Sequence, residues 1–95
     1  MTTNQLIKGI QKVLKRRGNL TTADMEMNCS PIYTYTDKNH FSTIERFNME
    51  EVEVVTYIHE TEVDVFRVSY KHLDYDLLFQ IHNELTTFDN QVVSI

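Results

Sequence analysis

At 95 residues, 41% hydrophobic and 24% charged, with a mean hydropathy of -0.38, the chain has the composition of one globular domain; this excludes a disordered segment and a second core. No apolar run approaches the roughly 20 residues of a spanning helix. The net charge of -5 is unevenly placed, because residues 1–23 carry five bases and no acid, whereas residues 24–95 carry fourteen acids and four bases.

The first element predicted is a helix from about Asn4 to Arg17. Leu6, Ile7, Ile10, Val13 and Leu14 recur at helical spacing, and Lys8, Lys12, Lys15 and Arg16 fall on the opposite face. Thr3 or Asn4 is the expected cap and Gly18 the expected stop, with Lys15, Arg16 and Arg17 in the last turn, where the dipole favours cations by roughly 0.3 to 1 kcal/mol each.

Residues 19–24 read as a linker or turn. Alternation resumes at Met25, Met27 and Cys29, is interrupted by Pro31, and continues as a strand over Ile32–Thr36. Proline lacks the N–H that a central ladder needs, so this strand belongs at an edge or carries a bulge. A three-residue loop, Asp37-Lys38-Asn39, then implies that Tyr35 pairs with Phe41 and Ile32 with Ile44. Phe41–Phe47 is assigned as a strand on its alternation, although Ser42 and Glu45 also have the spacing of a helix capping box.

Residues 51–70 are rich in β-branched and aromatic side chains and read as a hairpin. Parity requires an odd loop, or a bulge, if Val52, Val54, Phe66 and Val68 are to share one face while Glu53 and Arg67 share the other. That register places Val54, Phe66 and Val68 beneath the helices. After Tyr70 the period changes to 3.6, with Asp74 as N-cap, a Leu73–Leu78 staple and a helix to about Thr87. The Val92-Val93-Ser94-Ile95 tail is apolar enough to dock. The order αββββα predicts a two-layer α+β sandwich, a four-stranded antiparallel meander with both helices covering a sheet face.

Chemistry-bearing residues are scattered. His40, His59, His72 and His82 lack the close spacing of a zinc motif, and the nearest approach to a site is His59 with Glu60 and Glu62, joined by His40 if both hairpin loops lie at one end of the sheet. His82 borders the second helix's apolar stripe and is expected to be partly buried beside a hydrogen-bonded neighbour. Asp74 and Asp76 read as helix-start residues rather than a calcium loop. The single cysteine, Cys29, is expected to pack with Met25 and Met27, and with the polar Met-Thr-Thr-Asn-Gln start it points to the cytoplasm. Asn28-Cys29-Ser30 is then a glycosylation sequon in form only. Tyr33, Tyr35, Tyr57, Tyr70 and Tyr75 could stack on bases, but residues 24–95 are too acidic to offer a basic groove.

The expectation is a small non-catalytic cytoplasmic protein-interaction module, a homodimer, adaptor or inhibitor, without cofactor or metal. Lys8, Lys12, Lys15, Arg16 and Arg17 form its candidate interaction face. One alternative is a nucleic-acid-associated regulator that uses the same helix, and another is a metal-dependent hydrolase built around His59.

Overall fold

The computed structural model describes residues 1–27 and 31–93, with side chains to residue 91. Helix α1 spans Thr3–Arg17, followed by strands β1 (Leu20–Thr21), β2 (Tyr33–Asp37), β3 (His40–Phe47), β4 (Glu51–Ile58) and β5 (Thr61–Ser69), a 3-10 turn at Tyr70–His72, and helix α2 (Tyr75–Val93). All strand pairs are antiparallel; β2, β3, β4 and β5 form the meander, and the two-residue β1 pairs with β3 beyond the end of β2. The fold is the expected α+β sandwich.

Local chemistry accounts for the helix ends. Thr2, one residue earlier than expected, caps α1 in a reciprocal box with Gln5. Gly18 closes it at φ 81°, its N–H donating to the Leu14 carbonyl at 2.7 Å. The Asp74 side chain accepts from the Leu77 N–H at 2.9 Å at the start of α2. That helix runs past the expected end at Thr87 to Val93, since no Gly or Pro intervenes and Phe88 still packs against the core. The apolar tail, expected to dock, therefore begins as helix, and Ser94 and Ile95 lie outside the described residues.

The core lies between the helices and one face of the sheet. Leu6, Ile10 and Leu14 of α1 and Leu78, Ile81 and Leu85 of α2 close over Ile44, Phe47, Val52 and Val54. Tyr70 is also buried; its hydroxyl donates to the Asn48 carbonyl at 2.8 Å, and burial pushes that hydroxyl's pKa up. No helix among the described residues is long and apolar enough to cross a membrane.

Both hairpin registers reach their expected faces by way of bulges. The β2–β3 loop holds two residues rather than three, with Asp37 opposite His40, so Tyr35 pairs with Ser42 instead of Phe41. A shift between Tyr33 and Tyr35 restores the expected frame, and the Ile44 N–H donates to the Ile32 carbonyl at 3.0 Å. In the β4–β5 hairpin, His59 and Glu60 form a two-residue turn with φ of 50° and 66°, left-handed values usually left to Asn-Gly. A bulge between Thr56 and Tyr57 supplies the odd step, so that Val54 faces Phe66, Val52 faces Val68 and Glu53 faces Arg67.

Burial along β5 departs from expectation. Val54 is fully buried and Val68 half-buried, but Phe66 is 41% exposed, because β5 is the last strand of the sheet and lies at the margin of the helix layer.

Candidate interaction surfaces

The basic face of α1 is divided by the fold. Lys8, Lys12 and Lys15 are exposed and make no ion pair with any described residue. Arg16 and Arg17 instead converge on one carboxylate of α2. Arg17 Nε donates to Asp89 Oδ1 at 2.8 Å, Arg16 Nη2 donates to Asp89 Oδ2, and Asp89 is almost wholly buried. The Arg17 hydrogen bond, seconded by Arg16, holds the Asp89 carboxyl below the ordinary carboxylate range. No sequence signal identifies Asp89, because its partners lie 72 and 73 residues away.

His82 is half-buried where α2 crosses α1. A side chain at Gly9 would come within 2.7 Å of its Cδ2 and Nε2 atoms, so glycine permits the close approach. The expected hydrogen-bonded neighbour is missing at Nδ1, which is buried without a partner among the described residues. The other histidines are dispersed. The two hairpin loops do share one end of the sheet, with the His59 N–H donating to the Asn39 carbonyl at 2.8 Å. Even so, among the described residues no three His, Cys, Asp or Glu side chains are grouped to hold a metal ion. His40 lies against the Tyr35 ring, with centroids 5.0 Å apart. Cys29 lies outside the described residues; its expected neighbours Met27 and Met25 are buried in the core and packed against it, respectively.

Two surfaces emerge that the α1 pattern did not indicate. The first is the free edge of β5, where Val63, Val65 and Phe66 are 52%, 46% and 41% exposed. The Tyr70 N–H donates to the Glu50 carbonyl, so the alternation of an antiparallel ladder turns the backbone groups of Ser69, Arg67 and Val65 outward, away from β4. Arg67 and Glu51 approach to 3.5 Å in an exposed pair, worth at most about 1 kcal/mol.

The second surface is the sheet face opposite the helices. Tyr33 meets Phe41 edge-on at 5.9 Å, and Phe41 stacks on Tyr57 at 5.0 Å. A register shift between Ile44 and Arg46 leaves Glu45 as the bulge residue of β3, between the segments that pair with β1 and β2. Glu45 Oε2 accepts from the Tyr57 hydroxyl at 2.5 Å and the Thr43 hydroxyl at 3.1 Å. The bond to Glu45, with lesser help from burial, pushes the Tyr57 pKa up to about 12.

Compared with protein-family models, curated proteins and solved structures, the chain gives no match.

Proposed function

We propose that this protein is a small non-catalytic cytoplasmic interaction module that accepts a strand along the free edge of β5, and that its simplest partner is a second copy of itself. The observation that carries this reading is the edge itself, nine residues long and apolar at three exposed positions. Unpaired backbone groups on such an edge are a template for strand addition, and exposed side chains on alternate faces supply selectivity. Glu62, Asp64 and Arg67 interrupt the apolar positions and limit the registers available.

Side-chain chemistry selects one register for a two-fold pair. Antiparallel pairing centred on Asp64 would oppose two carboxylates, and pairing centred on Val65 would set Phe66 against Asp64. Centring on Phe66 places it opposite Phe66 of the partner subunit, Val65 opposite Arg67, and Asp64 opposite Val68. The outward groups of Val65 and Arg67 then form the inter-chain bonds, and Phe66 occupies the non-hydrogen-bonded position where side chains approach most closely.

The experiment is oxidative cross-linking in a Cys29→Ser background. Phe66→Cys should give a disulfide dimer, because facing residues there fall within the Cα separation a disulfide tolerates. The Asp64→Cys control should not. Val65→Pro removes an outward N–H and should leave the protein monomeric by equilibrium sedimentation without unfolding it. A monomer at high micromolar concentration, or equal cross-linking from both cysteine positions, would refute the reading.

A further inference from the structure

The hollow on the helix-free face lies where β1 and β2 part along β3. It measures about 250 Å³, and Thr22, Met27, Tyr33, Phe41, Glu45 and Tyr57 are among the residues that line it. That is small beside the roughly 300 to 1,000 Å³ of drug-sized sites and suits a ligand of a few heavy atoms. Among the described residues, Glu45 is the only ionisable carboxylate lining it, and no Lys, Arg or His lines it. Glu45 Oε2 is occupied by the two hydroxyl donors, whereas Oε1 receives none from the described residues.

We infer that this hollow binds an alkylammonium cation, the group shared by a lysine side chain and by quaternary amines, with Glu45 as counter-ion and the Tyr33, Phe41 and Tyr57 rings as its apolar wall. Three features support this chemistry together. Aromatic rings attract a cation through their quadrupole and offer contact to its carbon-bound hydrogens. The carboxylate supplies net charge, and its position on a β-bulge directs it away from the regular pleat. Beyond it, the adjoining hollow is lined by Glu53 and Glu62, and the one base among its described lining residues, Arg46, lies 3.7 Å from Glu53. A cation entering this face therefore meets no uncompensated positive charge, and an anion meets three carboxylates.

The test is nuclear magnetic resonance titration of the full chain with three probes: choline, N-acetyl-lysine methylamide, and 3,3-dimethylbutan-1-ol as the neutral isostere of choline. Binding should appear at the Thr43, Glu45 and Tyr57 amides with Kd of about 1 to 10 mM for at least one cation. The neutral alcohol should bind at least about fivefold more weakly. The choline and lysine arms separate a quaternary ligand from a peptide-borne primary amine. Glu45→Gln keeps an acceptor for Tyr57 and should weaken the cation at least about fivefold. Tyr57→Phe keeps the ring and releases Glu45 from its donor, so it should leave affinity unchanged or improve it. Equal binding of alcohol and choline, no effect of Glu45→Gln, or no shifts at 50 mM of either cation would each overturn the assignment. Val65→Pro should leave this binding intact, so the site and the strand edge stand or fall separately.

Discussion

Replacing Gly9 by alanine tests the closest contact between the two helices. In an unobstructed helix interior the change stabilises by about 1 kcal/mol, since alanine restricts the unfolded backbone and has the higher helix propensity. Here the new methyl would lie 2.7 Å from two atoms of the His82 ring, closer than nonbonded carbon and nitrogen allow. The imidazole must rotate or the helices must separate, and overpacking of this kind costs about 1 to 3 kcal/mol. The net expectation for Gly9→Ala is a loss of up to about 2 kcal/mol. In a His82→Ala background the obstruction is gone, and the same substitution should gain about 1 kcal/mol. Urea unfolding followed by circular dichroism on the four members of the cycle gives the coupling directly, expected at about 1 to 3 kcal/mol. Equal effects of Gly9→Ala in both backgrounds would refute the close packing of α1 on α2 at this point.

Asp89 should make the helix pair acid-sensitive. Its carboxyl titrates lower in the folded than in the unfolded chain, so its contribution is present above its unfolded value near 4 and is lost as pH falls through the folded value. Thermal midpoints from pH 7 to pH 2 should fall less steeply for Asp89→Asn than for the parent, and parallel curves would contradict the clamp. Phe47, fully buried, and Phe66, 41% exposed, provide a contrast within one sheet. Phe47→Ala should cost about 3 to 5 kcal/mol and Phe66→Ala, at concentrations too low for pairing, roughly 1 to 2. Urea midpoints that move equally would show that β5 is covered.

The meander was legible because each strand carries its own alternation, and the face of β5 followed from parity without knowledge of the turn. The turn itself was not legible, since His59 and Glu60 lack the Asn or Gly that signals left-handed backbone. Two left-handed non-glycine residues cost roughly 1 to 2 kcal/mol each and must be held by the register on either side. The candidate surfaces were less readable for a related reason. Hydrophobic pattern says which face of β5 is apolar, but not that the helices stop short of it, so Phe66 reads like Val54 until the layers are assembled. Likewise, the cations of α1 form one stripe in sequence, and only the arrival of Asp89 separates Arg16 and Arg17 from the three lysines. The rings of Tyr33, Phe41 and Tyr57 come from three strands, and no spacing rule joins them to Glu45.

The clamp of Arg16 and Arg17 on Asp89 bears on the order in which the protein assembles. Strands β2 to β5 join through loops of two or three residues, so their contacts are local and need little chain to be in place. The helix layer is different, because its halves bracket the whole sheet and their ion pairs join residues more than seventy positions apart. During synthesis α1 emerges first but has neither a sheet nor α2 to lie against, and a 15-residue helix is marginal alone. Its apolar stripe waits for the sheet, and its arginines wait for α2. Pulse-labelled hydrogen exchange during refolding should accordingly protect the β3–β4 amides before those of α1, with closure of the arginine clamp as the last event.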